Sequence, residues 1–464
     1  SFVEVGAMVT KRSTDFNMQQ KEIPADGVIT GYGVVDSKLV YVYSQDATAL
    51  GGSVGEMHAK KIARIYDMAM KVGAPVIGLI DCAGLRLQEA TDALNGFGEL
   101  YLKQTLASGV IPQVTAIFGN CGGGVAISSN LSDFTFMTEK EAKLFVNSPN
   151  ALDGNYTAKC DTSAAKYQAE AGVADVVCKD EEAVLASVRE LITILPSNNE
   201  DDDSYDECTD DLNRLVPSLG TSLKDSAVAL REISDDNFFF EVKSAYAKDM
   251  VTGFIRLNGM TIGAIANRAE ILDKDFKAVE KFDASLSTAG CEKATSFVNF
   301  CDAFNIPVLT LTSVKGYKAT TEEEKTIAKA AAKLTYAFAN ATVPKVNVVV
   351  GEAYGSAYVT MNSKHIGADM VLAYEDAAIG MMDAKSAAQI IYADDIKDAS
   401  DATAMINEKA SEYASLQSSV EAAAKRGYVD IVIPAEATRK QLVYAYEMLF
   451  TKRESRPNKK HGTI

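Results

Sequence analysis

Two stretches of the chain, GAPVIGLIDCAGL at residues 73–85 and NIPVLTLTSVKGY at residues 305–317, have the same order of residue types. In each, a short apolar run after a proline predicts a buried strand, and a glycine near its end predicts a turn. A second matched pair follows, with SGVIPQVTAIFGNCGGGVA at 108–126 and NATVPKVNVVVGEAYGSAY at 340–358. The starting positions differ by 232 residues in both pairs (305 − 73 and 340 − 108), which indicates an internal duplication.

Proline and glycine positions support one register for the two copies. Chance alignment of two ordinary α/β units is the alternative, but six coincidences without a gap favour duplication. Strands, turns and helical stretches alternate in each copy, which predicts an α/β fold with largely parallel sheets. The coincident pairs are Pro75 and Pro307, Gly84 and Gly316, Pro112 and Pro344, Gly119 and Gly351, Gly27 and Gly259, and Gly31 and Gly263.

Length and charge narrow the classes of protein that fit. With 464 residues, of which 47% are hydrophobic, the chain has material for two or three domains of about 150 residues each. Its 46 Lys and Arg against 63 Asp and Glu give a net charge of −17. Nucleic acid and anionic membrane surfaces are therefore poor partners, although a few local cations can still hold a small anionic ligand.

Cysteine usage and the apolar runs indicate a compartment. The seven cysteines include no C-x-x-C pair, and their odd number argues against a disulfide framework as well as a structural zinc site. The first residues lack the pattern of a secretory signal, and no apolar run reaches the ~18 residues of a membrane span. We therefore expect a reducing, cytoplasmic location.

An acidic segment, SNNEDDDSYDECTDDLN at 197–213, separates the two copies. A calcium loop is the alternative interpretation, but the D-x-D-x-D-G spacing is absent. Eight carboxylates in this segment predict a solvated linker. We therefore expect an N-terminal domain at 1–212 and a C-terminal domain at 213–464.

Four glycine-containing turns, two in each copy, carry the candidate chemistry. A strand that ends in such a turn and opens a helix presents free backbone N–H groups at the positive end of the helix dipole. These groups can bind phosphate or a developing oxyanion, and two turns per copy suit two donors that converge on one oxygen. Neither a Walker loop nor a G-x-G-x-x-G fingerprint is present. Tight strand–helix packing without any ligand is the alternative.

Side chains suited to catalysis are few. The chain has three histidines, and His58 lies in an amphipathic helical stretch, where packing or a surface role is favoured over catalysis. No G-x-S-x-G elbow and no H-E-x-x-H motif occurs. This composition suits a reaction in which the substrate or a cofactor supplies the proton chemistry.

Nearly the whole chain resembles one family. GEMHAKKIARIYDMAMKVGAPVIGLIDCAGLRLQE at 55–89 resembles the N-terminal half of the carboxyltransferase family of biotin-dependent acyl-CoA carboxylases and decarboxylases. KATSFVNFCDAFNIPVLTL at 293–311 resembles its C-terminal half. The resemblance implies two tandem crotonase-like domains. It also implies an active site between the N-domain of one protomer and the C-domain of another, within a homo-oligomer that is usually a hexamer, a trimer of dimers.

The N-terminal motifs imply an acyl-CoA side. The family's D-S-G-G-A-R stands here at residues 81–86 and its G-P-C-A-G-G-A at 119–125. The CoA phosphates need local cations in an acidic protein, and Arg86 is the first choice ahead of Lys60 and Lys61, for which surface solvation is the alternative. The resemblance implies that the backbone N–H groups of Gly84, Gly123 and Gly124 hold the thioester oxygen, with Ala83, Arg86 and Gly122 in contact with the substrate.

The C-terminal motifs imply a biotin side. The family's V-P-G-F stands at residues 314–317 and its A-Y-G-G-A-Y at 353–358. Lys315 replaces a proline, Ser356 replaces a glycine, and the segment around Ala330 is also changed. These departures leave the second substrate and the direction of reaction open. The resemblance implies that Gly316, Ser356 and Ala357 hold the ureido oxygen of biotin, and that Tyr317, Gly355, Tyr358 and Val359 contact it.

The predicted activity is a carboxyltransferase reaction without a metal. A carboxyl group would move between carboxybiotin on a separate biotin carboxyl carrier protein and the α-carbon of a short-chain acyl-CoA. The other partner would be a biotin carboxylase subunit or a membrane decarboxylase subunit. One alternative is the α-subunit of a sodium-pumping acyl-CoA decarboxylase, which uses the same chemistry in reverse. A crotonase-type hydratase or hydrolase and a non-catalytic scaffold are less favoured.

A biotin attached to this chain itself is not expected. Residues 69–71, Ala-Met-Lys, resemble the core of a biotinylation site. That site needs its lysine at the tip of a hairpin, whereas Lys71 ends a helical stretch.

Overall fold

Alternating strands and helices make up the computed structural model, which describes residues 1–158, 160–201, 204–457 and 460–462. The chain divides into two compact units, Ser1–Tyr205 and Asp206–Ile464. This division lies seven residues before the boundary predicted after residue 212. Among the described residues, no helix combines the length and apolar character needed to cross a membrane.

The first unit is built on an eight-stranded sheet. Its central strands, β4 and β5, are buried along most of their length, as expected for parallel strands that are covered on both faces. The strands are β1 Phe2–Glu4, β2 Val28–Val35, β3 Lys38–Gln45, β4 Val76–Cys82, β5 Gln113–Gly122, β6 Phe134–Thr138, β7 Lys143–Phe145 and β8 Val176–Cys178. The helices are α1 Glu56–Val72, α2 Ala90–Ala107, α3 Gly124–Asn130, α4 Asp153–Ala158, α5 Ala165–Glu170 and α6 Glu181–Ile194.

The second unit also has an eight-stranded sheet, with two additional two-stranded ladders. Its strands are β9 Phe240–Val242, β10 Met250–Leu257, β11 Met260–Asn267, β12 Glu270–Leu272, β13 Ala278–Lys281, β14 Ser285–Leu286, β15 Val308–Val314, β16 Gly316–Tyr317, β17 Lys345–Tyr354, β18 Met370–Tyr374, β19 Ala378–Gly380 and β20 Ile431–Ile433. Its helices are α7 Leu219–Ser222, α8 Ser226–Ile233, α9 Thr288–Ala303, α10 Thr321–Glu324, α11 Ile327–Asn340, α12 Gly355–Thr360, α13 Ala384–Ile391, α14 Ala393–Asp398, α15 Ala402–Tyr413, α16 Val420–Lys425 and α17 Thr438–Leu449.

The two large sheets have the same strand order. The first runs β1-β2-β3-β4-β5-β6-β8, with β7 beside β5, and the second runs β9-β10-β11-β15-β17-β18-β20, with β19 beside β17. In both sheets the first three strands pair antiparallel and the remaining pairs are parallel. The predicted α/β fold and its internal duplication are therefore confirmed.

The first hairpin corrects one part of the predicted register. β2 and β3 correspond to β10 and β11, but their starting residues differ by 222 (250 − 28 and 260 − 38). The second unit then inserts the β12–β13 hairpin before α9, which restores the offset of 232 between α1 and α9 (288 − 56). The predicted equivalence of Gly31 with Gly263, and with it that of Gly27 with Gly259, is wrong, because Gly31 lies in β2 and Gly263 in β11.

The acidic segment at 197–213 is only partly solvated. Asn198 is buried, and its Nδ2 donates a hydrogen bond to the Gly73 carbonyl oxygen at 2.8 Å. Asp210 forms an ion pair with Arg214 at 2.8 Å. The prediction of a solvated linker is wrong at these two positions, because a hydrogen-bonded amide and a paired carboxylate lose less on burial than an isolated charge does.

Candidate active site

The first turn pair, residues 82–86 and 122–124, lies where β4 and β5 end. Cys82 pairs with Cys121 across these two strands, after an irregularity in the ladder. The Ala83 N–H donates to the Gly51 carbonyl oxygen at 2.9 Å, so the segment before α1 fixes the turn after β4. A side-chain carbon added to Gly84 would lie 3.4 Å from the Gly122 carbonyl oxygen. The two turns therefore meet, as the sequence predicts.

The backbone N–H groups of the first turn pair differ in whether another group of the protein already accepts a hydrogen bond from them. The Gly84 N–H lies 3.4 Å from Cys82 Sγ, and sulfur is a weak acceptor. The Gly124 N–H opens α3 and has no acceptor within the helix. The Gly123 N–H, in contrast, donates to the Phe145 carbonyl oxygen at 2.9 Å. The prediction that Gly123 itself is a donor to substrate is therefore wrong, and Gly84 and Gly124 remain as the candidate donors.

Gly123 has a conformational role instead. Its φ of 61° and ψ of −127° turn the chain from β5 into α3, and residues with a side chain rarely adopt this conformation. Gly355, which lies 232 residues later, has a φ of 63° at the start of α12. In both units, therefore, a glycine with a positive φ orients the first N–H groups of the helix that follows the strand.

Arg86, the first choice for binding the CoA phosphates, is buried in the structure. Its guanidinium lies 2.5 Å from the Asp26 carboxylate and 2.9 Å from the Glu89 carboxylate, and it donates to the Ser53 carbonyl oxygen at 2.9 Å. The side chains of Arg86 and Asp26 are both 0% exposed. The prediction that Arg86 contacts substrate is therefore wrong, because its charge is already compensated inside the first unit.

The two lysines near Arg86 have different environments. The Lys61 ammonium is buried and donates to the carbonyl oxygens of Ala25 and Val28, so a solvated surface position is wrong for it. Lys60 pairs with Glu56 at 2.6 Å, and its side chain is 40% exposed. Of the three cations considered for the CoA phosphates, Lys60 is the one that solvent reaches.

His58 is a packing residue rather than a base. It is fully buried, its Nδ1 lies 3.0 Å from the Asp26 carbonyl oxygen and its Nε2 lies 3.2 Å from the Gln45 amide. Burial, and secondarily the charge of Arg86, lowers the pKa of His58 to about 3. The imidazole is therefore neutral and both of its nitrogens are engaged, in agreement with the sequence interpretation.

The second turn pair, residues 314–317 and 353–357, repeats this arrangement where β15 and β17 end. Val314 pairs with Ala353 after the same kind of irregularity in the ladder. The Lys315 N–H donates to the Ala284 carbonyl oxygen at 2.8 Å, as Ala83 does to Gly51. A side-chain carbon added to Gly316 would have no atom within 4 Å, so this turn borders open space. The N–H groups of Ser356 and Ala357 open α12 without intrahelical acceptors.

The side chains around the second turn pair are buried or half-buried. Tyr358 is buried, and its ring lies 5.9 Å from that of His365. Tyr317 is half-buried, with its hydroxyl 3.4 Å from the Thr360 hydroxyl, and Val359 is half-buried. Ala330 lies on the buried face of α11, so this departure from the family pattern is a packing position.

One ion pair spans the second turn pair and was not predicted. The Lys315 ammonium lies 2.7 Å from the Glu352 carboxylate. Lys315 stands out in the sequence as a replacement of proline, but its partner is 37 residues away (352 − 315), and no local pattern connects the two. The available signal is the offset of 232, which places Lys315 and Glu352 opposite the neutral residues Ala83 and Asn120.

The arrangement suits stabilisation of oxyanions by backbone donors. Each unit presents N–H groups from two adjacent turns, and their geometry is fixed by the sheet before any ligand arrives. Among the described residues, no group of three or more His, Cys, Asp or Glu side chains could hold a metal ion. The acceptor that such donors fit is a carbonyl oxygen on which negative charge develops.

Comparisons with known proteins agree on one family. The carboxyl transferase domain profile matches residues 1–464. The chain is 40% identical to the methylmalonyl-CoA decarboxylase subunit alpha of Propionigenium modestum, covering 100% of this chain and 90% of that protein. It is 39% identical to the propionyl-CoA carboxylase beta chain of Roseobacter denitrificans, covering 100% and 91%.

A solved structure is similar over the whole chain. Transcarboxylase 12S, a hexamer assembly with methylmalonyl-coenzyme A and methylmalonic acid bound, superposes with a TM-score of 0.92 at 36% sequence identity. The match covers 100% of this chain and 89% of that one. The fold predicted from the sequence, two crotonase-like domains, is therefore confirmed.

Proposed function

Since this chain belongs to the carboxyl transferase family and is an enzyme that acts on acyl-CoA substrates, we propose that it transfers a carboxyl group between a carrier-bound biotin and the α-carbon of a short-chain acyl-CoA. The observation that carries this proposal is the repeated pair of turns. Two sites with backbone donors are what a reaction between two carbonyl-bearing partners requires.

The first turn pair would hold the acyl-CoA thioester. The N–H groups of Gly84 and Gly124 would donate to the thioester oxygen as negative charge develops on it, with Ala83 and Gly122 lining the approach. One such donor typically contributes about 3 kcal/mol to stabilisation of a transition state. Two fixed donors can therefore replace a side-chain acid at this position.

The second turn pair would hold the ureido group of biotin. Gly316 borders open space, and the N–H groups of Ser356 and Ala357 are free to donate to a ureido oxygen. When bound, biotin supplies the nitrogen that carries the carboxyl group. Gly355 would set the backbone conformation of this turn and the buried Tyr358 would pack against it, while Tyr317 and Val359 would border the biotin site.

Relatives of both kinds support two directions of reaction. Carboxylation of an acyl-CoA is one, and decarboxylation of a malonyl-type acyl-CoA as the α-subunit of a decarboxylase is the other. The same residues serve both directions, because an enolate held at the first turn pair is common to them.

The proposal includes an assembly and a location. The hexamer assembly of the similar transcarboxylase supports a homo-oligomer, probed by the mass of the purified protein in solution. A biotin carboxyl carrier protein and either a biotin carboxylase or a membrane decarboxylase subunit would be the partners. All seven cysteines are free thiols, which supports a reducing, cytoplasmic location.

Carboxyl exchange tests the proposed function directly. Purified protein is mixed with propionyl-CoA and free carboxybiotin whose carboxyl group is isotopically labelled. The expected result is a labelled carboxyl group on the α-carbon of the acyl-CoA and release of biotin, with no labelled product when either substrate is omitted. The reverse assay, with methylmalonyl-CoA and free biotin, measures the other direction. Hydrolysis of the propionyl-CoA thioester, or hydration of an enoyl-CoA in a parallel assay, without any carboxyl exchange would contradict the proposal and favour a crotonase-type enzyme.

The purified chain is expected to carry no biotin of its own. Lys71 lies in the last turn of α1, which ends at Val72 and is capped by Gly73, so it is held in a helix rather than at a hairpin tip. A streptavidin blot should leave this chain unstained while it stains a carrier protein run as the positive control. Staining that is lost on changing Lys71 to Arg would show that the expectation is wrong.

A further inference from the structure

The two turn pairs share their backbone geometry but differ in charge. Lys315 and Glu352 border the second pair, and the residues at the equivalent positions of the first pair are Ala83 and Asn120 (315 − 83 and 352 − 120 both equal 232). At these two positions the second turn pair therefore has a cation and an anion, whereas the first has two neutral residues. The charged residues beside the first pair lie elsewhere and are engaged, since Arg86 pairs with Asp26 and the Asp81 carboxylate accepts from the Asn120 N–H at 3.0 Å. This difference stands out because the surrounding strands have matching registers.

The Lys315–Glu352 pair is accessible to a ligand. The Lys315 side chain is 54% exposed and that of Glu352 is 43% exposed. An ammonium group has three N–H donors, and among the described residues Glu352 is the acceptor found for it. Two donors of Lys315 are therefore free for a second acceptor beside Gly316.

The contribution of the Lys315–Glu352 ion pair to folding stability is too small to explain why both charges are present. An exposed ion pair contributes little to folding, because water solvates both charges and two flexible side chains must be ordered. Glu352 is itself held from the other side, since the hydroxyl of the buried Tyr354 lies 3.4 Å from its carboxylate. The arrangement keeps an ammonium group at the edge of a site in a protein with a net charge of −17.

We propose that Lys315 binds the carboxylate that the enzyme transfers, and that Glu352 holds the ammonium in position until this carboxylate arrives. The inference rests on the proposed function. The carboxylate carries a full negative charge, which the backbone donors of the second turn pair, occupied by a carbonyl oxygen, do not compensate. It can come from carboxylated biotin or from a malonyl-type acyl-CoA, and both sources present the same group.

A purely structural role would have a different signature. If the pair merely ties the two turns together, removing either partner should weaken every ligand of the second turn pair to the same degree. If Lys315 binds a carboxylate, removal of its charge weakens anionic ligands alone. Removal of the Glu352 charge then strengthens them, because a competing acceptor is lost.

Equilibrium binding to the intact oligomer separates these roles. The probes are two stable biotin amides, one with a carboxymethyl group on N1 and a neutral one with a methyl group there, measured by titration calorimetry. Lys315→Met should weaken the anionic probe on the order of tenfold, the loss of one hydrogen bond to a charged group, and leave the neutral probe unchanged. Glu352→Gln should bind the anionic probe more tightly, and Lys315→Arg should bind it nearly as wild type does.

A second pair of ligands identifies the source of the carboxylate. Methylmalonyl-CoA and propionyl-CoA differ by that group, so weakening of the first alone by Lys315→Met assigns the contact to the acyl-CoA carboxylate. Lys318→Met, three residues further along and exposed, is the matched control and should change neither pair. Circular dichroism and oligomer mass should be unchanged in all four variants.

The outcomes separate this inference from the proposed function. Wild-type binding of all four ligands by Lys315→Met would overturn the role of Lys315, as would equal weakening of the anionic and neutral probes. Absence of carboxyl exchange in the wild-type enzyme would contradict the proposed function instead. In that case the methylmalonyl-CoA and propionyl-CoA comparison alone decides whether Lys315 binds a carboxylate.

Discussion

Gly123→Ala and Gly355→Ala are both expected to lose carboxyl transfer, the first through the acyl-CoA site and the second through the biotin site. Both glycines have a φ near +60°, where a side chain strains the backbone by about 1–3 kcal/mol. Relief of that strain would rotate the peptide that aims the following helix N–H groups. Since loss of one oxyanion donor costs on the order of 10²–10³-fold in turnover, each variant should lose carboxyl transfer by at least that factor.

The distinction lies in which ligand each variant still binds. Gly123→Ala should weaken acyl-CoA binding, because Gly124 follows it directly in the first turn pair. Gly355→Ala should bind acyl-CoA normally and lose carboxyl exchange with free biotin. Calorimetric titration with propionyl-CoA and the exchange assay measure these two properties separately.

Gly98→Ala is a suitable control for the glycine variants. Gly98 lies within α2, and an added carbon there meets no atom within 4 Å, so activity and stability should be retained. Equal loss of acyl-CoA binding in the Gly123 and Gly355 variants, with the fold and oligomer intact, would refute the assignment of one substrate to each turn pair.

Arg86→Met is expected to destabilise the protein by about 3–5 kcal/mol, because it leaves buried carboxylates without their countercharge. Asp26 is 0% exposed and Glu89 is 3% exposed at the side chain, and both depend on the same guanidinium. Urea unfolding followed by circular dichroism should show the loss as a lower transition midpoint. Arg86→Lys retains a charge but not the forked geometry, and its unfolding midpoint should lie between those of the wild type and Arg86→Met.

Lys103→Met is the matched control for this ion pair. Lys103 pairs with Asp67 on the surface, where the side chains are 26% and 50% exposed, and its removal should cost less than about 1 kcal/mol. A fully stable Arg86→Met protein with a raised Michaelis constant for acyl-CoA would reverse the conclusion. It would restore Arg86 as a ligand of the CoA phosphates.

The glycine and proline pattern predicted the α/β class, the internal duplication and the location of the four turns, while the crotonase-like fold followed from the family resemblance. Proline and glycine restrict or permit particular backbone conformations wherever they stand, so Pro75, Gly84 and their counterparts indicate strand starts and turns without knowledge of distant residues. The predicted offset of 232 is confirmed for the parallel strands, since β4 starts at Val76 and β15 at Val308. It failed for the first hairpin, where the β12–β13 insertion has no equivalent in the first unit.

Only the tertiary structure decided how charged groups and individual donors are used. Arg86 meets Asp26 from 60 positions away, Lys315 meets Glu352 across two strands, and the Gly123 N–H is taken by Phe145 from a neighbouring strand. A long cationic side chain is compatible with either solvent or a buried ion pair, and the choice depends on desolvation and on partners distant in sequence. Local sequence therefore determined the backbone of this site, whereas long-range packing determined its electrostatics.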